Sequence, residues 1–142
     1  METFRMTLKQ PAPKRVLVAD DDPVMRLLIT TILKQQDCEA VVANDGREAY
    51  RILQTDSRFS AAILDMTMPF LEGLDLIRYM RSERRLMRIP IMMITAAQDI
   101  KLMASSFTAG ATAFLPKPFT PEQLQSAIRM LLGNRDSTRR AA

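Results

Sequence analysis

Four short apolar runs are spaced along the chain: Val16-Leu17-Val18-Ala19, Ala61-Ala62-Ile63-Leu64, Ile91-Met92-Met93-Ile94 and Ala113-Phe114-Leu115. Val41-Val42-Ala43, within an apolar stretch that opens at Cys38, makes a fifth. Between them, apolar residues return every three or four positions, as on one face of a helix. Asp22-Pro23 supplies an N-cap and a proline at the first helical position, and Val24, Met25, Leu28, Ile29 and Ile32 carry that helix to near Gln36. Asp45 and Glu48 have capping-box spacing and open a helix to about Thr55. Leu74, Ile77 and Met80 mark a third helix after a loop from Met66 to Gly73. Asp99 caps a fourth, with Ile100, Met103 and Phe107 on one face and Gly110 closing it. The fifth strand is expected over Ala111–Leu115, and Thr120-Pro121-Glu122-Gln123 starts a last helix that runs through Leu124, Ile128 and Leu131 to Gly133.

Five βα units result. Strands that are apolar throughout, rather than at alternate positions, are buried on both faces, so the units form a parallel sheet with helices on either side. The pattern predicts three segments: a loose arm over residues 1–13 containing Pro11 and Pro13, one folded domain over 14–132, and a flexible tail over 133–142 carrying Arg135, Arg139 and Arg140.

Polar residues at the strand tips supply the chemistry. Asp20 and Asp21 follow the first strand, Asp65 the third, Thr95 the fourth and Lys117 the fifth. In an open parallel sheet ligands bind beyond the carboxyl ends of the strands. Adjacent carboxylates repel one another and need a counter-charge to stay ionised. Asp22 is accounted for as a helix cap; Asp20 and Asp21 are not. A few hard oxygen ligands that leave room for water and phosphate suit magnesium better than calcium. An ionised Asp65 could attack phosphorus to form an acyl phosphate, with Lys117 neutralising phosphate charge and Thr95 donating a hydroxyl hydrogen bond.

Composition narrows this further. The chain has 142 residues and no histidine, which removes histidine bases, histidine metal ligands and a self-contained phosphohistidine. A phosphoryl group handled here must come from another molecule. Cys38 stands alone and reads as a small core residue. The net charge of +4 is spread over predicted helices, with one dense cluster at Arg78, Arg81, Arg84, Arg85 and Arg88. No nucleic-acid motif accompanies these arginines, so they read as a solvated helix face and direct DNA binding is not expected. No apolar run approaches the ~18 residues of a membrane span, and the amino terminus lacks a signal-peptide core, so a cytoplasmic protein is expected.

The segments VLVADDDP, LDMTMP, ITA and FLPKPF, in that order and spacing, resemble the receiver domain of two-component response regulators over about residues 14–132. The resemblance implies the flavodoxin-like (βα)5 fold, a doubly wound five-stranded parallel sheet in the order 2-1-3-4-5. It makes Asp65 the phosphoacceptor, Asp21 a direct ligand of Mg2+ (or Mn2+) and Asp20 a ligand through water. The Thr67 backbone carbonyl becomes a further ligand, Thr95 the switch hydroxyl, Phe114 the aromatic that follows it and Lys117 the phosphate-binding lysine, cis to Pro118. The donor is then a histidine kinase or a histidine phosphotransfer protein. A downstream protein reads the surface of the fourth helix, fifth strand and fifth helix, to which Ile100, Leu102, Met103 and Phe107 are expected to contribute. Homodimerisation is left open. Only self-catalysed phosphorylation and dephosphorylation are expected, and the identities of Thr67 and Ala97 bear on phosphoryl lifetime.

The chain departs from the family pattern at Phe70 and Glu72, where polar or acidic residues are common, and at Pro116. Phe70 would narrow access to the site or offer a docking contact. Three other readings remain beside a stand-alone receiver: the receiver portion of a longer regulator, a phosphorylation-independent adaptor, and an aspartate-based phosphatase of the haloacid dehalogenase type. The last needs a second aspartate two residues after the nucleophile, where Thr67 stands.

Overall fold

The structure, a computed structural model, describes residues 12–96 and 100–141, the last eight through their backbone alone. Its elements are β1 (Lys14–Ala19), α1 (Pro23–Gln35), β2 (Cys38–Ala43), α2 (Gly46–Thr55), β3 (Ala61–Asp65), α3 (Gly73–Ser82), β4 (Ile91–Ala96), α4 (Ile100–Ala109), β5 (Ala113–Lys117) and α5 (Pro121–Ala141). The strands form a five-stranded sheet in the order β2-β1-β3-β4-β5. All four pairings are parallel, as the expected doubly wound fold requires.

Burial explains the continuous apolar runs. Successive strand residues point to opposite faces, and both faces are covered. Leu17, Ala62, Leu64, Ile91 and Met93 join one core with Leu53, Leu76, Ile77 and Met80 of α2 and α3. Val16, Val18, Ile63, Met92 and Ile94 join the other with Ile29 and Leu33 of α1 and Leu124 and Ile128 of α5. Helices α1 and α5 therefore lie on one face, and α2, α3 and α4 on the other. The edge strands are β2 and β5, and Pro116 is tolerated because β5 has a neighbour on one side only.

The caps follow the sequence. The Asp22 carboxylate accepts from the Val24 amide at 2.9 Å, and Asp45 accepts from Glu48 at 2.8 Å. Thr120 and Gln123 form a reciprocal pair at 2.9 and 3.0 Å. Asp99, Ala97 and residues 1–11 of the expected arm lie outside the described residues, as do the side chains of Arg135, Arg139 and Arg140.

Four expectations change. The fifth strand spans Ala113–Lys117 rather than 111–115, because the Ala111 amide still caps α4 on the Ser106 carbonyl at 2.8 Å. Helix α5 continues past Gly133 to Ala141, where the sequence pattern ends it at Gly133. A single helical glycine costs only about 1 kcal/mol relative to alanine and no proline follows it. Helix α4 buries Ser106, while Ile100 is 78% and Phe107 51% exposed, so the apolar face read from its spacing is not the one turned to the core. Lastly, Arg81 is no solvated charge. It donates to the Gly110 carbonyl at 2.8 and 3.0 Å, to Met87 at 2.9 Å and to Ile89 at 2.8 Å, tying α3 to the starts of β4 and β5.

Candidate functional site

The parallel sheet carries the carboxyl ends of β1, β3, β4 and β5 to one rim, and each delivers one expected side chain. Asp20 extends β1, its amide bonding the Ala43 carbonyl at 3.2 Å. It is buried, with 1% of its surface exposed. One carboxylate oxygen accepts from the Asp22 amide at 2.9 Å. The other, Oδ2, is buried without a partner. Arg26, one turn into α1, donates to the Asp20 carbonyl at 2.7 Å and holds this turn in place. Asp21, the next residue, is exposed.

Asp65 ends β3 in register with Ile94. It is 6% exposed, and one oxygen accepts from the Thr67 amide at a long 3.4 Å. Carboxylate oxygens of Asp20, Asp21 and Asp65 lie within 4.8 Å of one another. Burial, and then the charge of Asp20, push the Asp65 carboxyl up to about 7, with Lys117 and the Thr67 amide opposing and Asp21 adding a little. Burial raises Asp20 as well, against the Asp22 amide and Lys117. Two buried carboxyls, one with an unpartnered oxygen, need a cation to remain ionised together. The donor set of hard oxygens fits magnesium, with Asp20, Asp21 and Asp65 as the residues that would hold it.

Thr95 is 2% exposed and lies beside Pro116 of β5. Its hydroxyl donates to its neighbour's carbonyl at Ala96, 3.4 Å away, a weak partner that leaves the group free to turn elsewhere. Lys117 is the last residue of β5 rather than the residue just past it, and its bond to Pro118 is cis. Its charge acts on both Asp20 and Asp65. Phe114 is half-buried and meets Phe107 of α4 edge-on, ring centres 4.5 Å apart at 63°.

All five residues picked from the strand tips thus converge on one end of the sheet. Two supporting residues escaped the sequence reading. Arg26 stands at a polar position of α1 that no sequence signal singles out. Gly73 was placed only as a loop end, yet a Cβ there would stand 2.5 Å from the Asp65 carbonyl, so only glycine lets α3 start so close to the acidic site.

A doubly wound parallel sheet with an acidic cluster, a hydroxyl and a lysine on its carboxyl rim defines a receiver-like α/β protein. The chain belongs to the response regulator receiver domain family, whose model matches residues 16–129. It is 35% identical over 123 residues to the chemotaxis protein CheY1 of Helicobacter pylori, covering 86% of this chain and 99% of that protein. It is 38% identical over 120 residues to the response regulator MprA of Mycolicibacterium vanbaalenii, covering 84% of this chain and 51% of MprA. The chain therefore spans about half the length of the MprA regulators it matches. Among solved structures, the chemotaxis response regulator CheY4 of Vibrio cholerae superposes with a TM-score of 0.78 at 31% identity, over 84% of this chain and 99% of that one. Phosphorylation on aspartate and magnesium binding through acidic residues are general features of this family, as is contact with histidine kinases and downstream targets. No helix among the described residues is long and apolar enough to cross a membrane.

Proposed function

We propose that Asp65 accepts a phosphoryl group, with magnesium, from a histidine kinase or a histidine phosphotransfer protein, and that the chain then signals by protein contact. The observation that carries this reading is the Asp65 carboxyl itself: buried, raised to about 7 and next to Asp20, whose Oδ2 is orphaned. A buried carboxyl that a bound cation would ionise, beside a second acid short of partners, is what phosphoryl acceptance needs.

An Asp65 oxygen attacks phosphorus in line, the bond from phosphorus to the donor's imidazole nitrogen breaks, and its electron pair returns to the imidazole. Lys117 offers its ammonium to the transferred oxygens, and Thr95 can exchange its weak Ala96 bond for one of them. Asp20, Asp21, Asp65 and the Thr67 carbonyl would hold the magnesium, which when bound neutralises the carboxylates and the incoming phosphoryl oxygens. The added charge of roughly −1.5 to −2 sits beside Thr95 and Lys117. Movement of Thr95 lets Phe114 repack, and with it the α4–β5–α5 surface a partner would read.

The match to almost all of CheY1 supports a receiver that acts alone. The half-length match to MprA supports the second reading, a receiver within a longer regulator, and the mass of the native gene product separates the two. The chemistry is tested with acetyl phosphate or beryllofluoride and magnesium. Wild-type protein is expected to gain one acid-labile phosphoryl that Asp65→Asn does not. Equal labelling of the two rules Asp65 out as acceptor.

A further inference from the structure

Between Asp65 and α3 the chain makes one excursion, closed at its base by the Gly73 amide on the Met66 carbonyl at 3.0 Å. At its tip the Leu71 amide reaches back two residues to the Pro69 carbonyl at 2.8 Å. The residue between them, Phe70, has φ of +72°. A two-residue bond around a positive φ is the rare, strained hand of the γ-turn, and a bulky side chain there is an outlier. Glycine or asparagine would adopt this backbone more easily.

Burial does not explain the aromatic ring, which is 67% exposed. Its partner is Arg47 at the start of α2, whose guanidinium lies 3.9 Å from the ring centre. Next to Arg47, a Cβ on Gly46 would stand 1.8 Å from the Leu71 carbonyl oxygen, so the start of α2 abuts the same loop. The loop also carries Thr67, whose amide donates to Asp65. Strain retained beside a functional site, at a residue that gains little from burial, points to a role for the side chain.

We propose that Phe70 and Arg47 are a positioning pair that locks the loop between β3 and α3 against α2, so that Thr67 keeps its place beside Asp65 and the acidic cluster. The pair lies outside the acidic cluster and acts on it through the loop backbone. The inference rests on the reading of that cluster as a magnesium and phosphoryl site. A lock of this kind raises metal affinity by removing loop conformations in which Thr67 is turned away.

Two measurements test it: amide hydrogen exchange of residues 67–71 in metal-free protein, and magnesium affinity. Arg47→Ala and Phe70→Ala are expected to speed loop exchange and weaken magnesium, each by about two- to five-fold, the worth of an exposed cation–π contact. Phe70→Tyr keeps the ring and is expected to match wild type in both. Phe70→Gly is expected to melt above Phe70→Ala, because glycine accepts the positive φ, yet to bind magnesium as weakly. That opposition separates positioning from stability. Unchanged exchange and affinity in Arg47→Ala, or full magnesium affinity in Phe70→Gly, overturns the proposal. Wild-type protein that takes up no magnesium overturns the reading of the acidic cluster instead, and loop exchange still decides whether Arg47 and Phe70 lock the loop.

Discussion

Asp65 is where the physics of a single residue is most exposed. Its carboxyl, raised to about 7 by burial and by Asp20, is only partly ionised at neutral pH without a cation. Magnesium requires the carboxylate, so its affinity is expected to rise with pH through about 7 and its binding to release protons, which titration calorimetry in buffers of different ionisation enthalpy measures. The sign for stability is equally definite. A folded carboxyl raised above its unfolded value holds its proton where the unfolded chain has lost it, so stability falls as pH rises from about 4 to about 7. Asp65→Asn removes that cost and is expected to raise the melting midpoint of metal-free protein at pH 8 by roughly 5 °C. No rise at pH 8 would mean that the carboxylate is already compensated. The identity of Asp65 as a site residue was legible because an acid directly follows four apolar residues. The size of its perturbation was not, since Asp20 lies 45 positions away in the chain and only the β1–β3 pairing brings the two together.

At the scale of elements, α4 and the segment that precedes β4 depart most from their sequence patterns. The helix turns Ser106 inward, where its hydroxyl donates to the Leu102 carbonyl at 2.9 Å and lies 3.7 Å from the Met66 sulfur. Leu102 packs partly on the core while Ile100 and Phe107 face out, so the four residues expected on a partner surface divide between two jobs. Spacing cannot settle this, because Ile100, Leu102, Met103 and Phe107 offer more than one apolar stripe. Thr95→Ala is expected to leave phosphoryl labelling in place while abolishing any beryllofluoride-induced change in hydrogen exchange across α4. A change that persists in the variant would remove Thr95 from the switch. Arg81 shows the opposite failure, a residue whose charge suggested solvent and whose position made it a clamp. Desolvation lowers its pKa, and it serves three carbonyls at once. Arg81→Ala is expected to cost about 2–3 kcal/mol by denaturant unfolding, since those carbonyls lose a charged donor.

Two cores on either side of one sheet make the whole molecule. Its pH response combines groups at opposite ends of the strands. Near the start of β1, Arg15 holds the Asp56 carboxylate through paired bonds of 2.8 and 3.1 Å and lowers its pKa. That contribution is present above the unfolded value near 3.8 and is lost as pH falls through the folded one. Asp65 acts with the opposite sign on the alkaline side. Metal-free protein is therefore expected to be most stable near pH 4, where the Asp56 contribution is in place and the Asp65 cost has not yet set in, and magnesium to extend that range upward, as thermal melts across pH would show. A maximum that stays above pH 8 without metal would contradict the burial assigned to the acidic cluster.

Some of this was settled by the order of residues alone. Runs that are apolar at every position can be satisfied only by burial on both faces, which dictates a parallel sheet between helices. Acids, a hydroxyl and a lysine placed directly after such runs must then share one rim. Local rules also set the caps at Asp22, Asp45 and Thr120, because each involves residues no more than three positions apart. What required the tertiary structure were interactions between segments distant in sequence. These include the field of Asp20 on Asp65, the turn of α4 that buries a serine, the carbonyls gathered around Arg81 and the stack of Arg47 on Phe70. Each depends on distances that close only when the sheet and its helices pack together, and no pattern confined to one element records them.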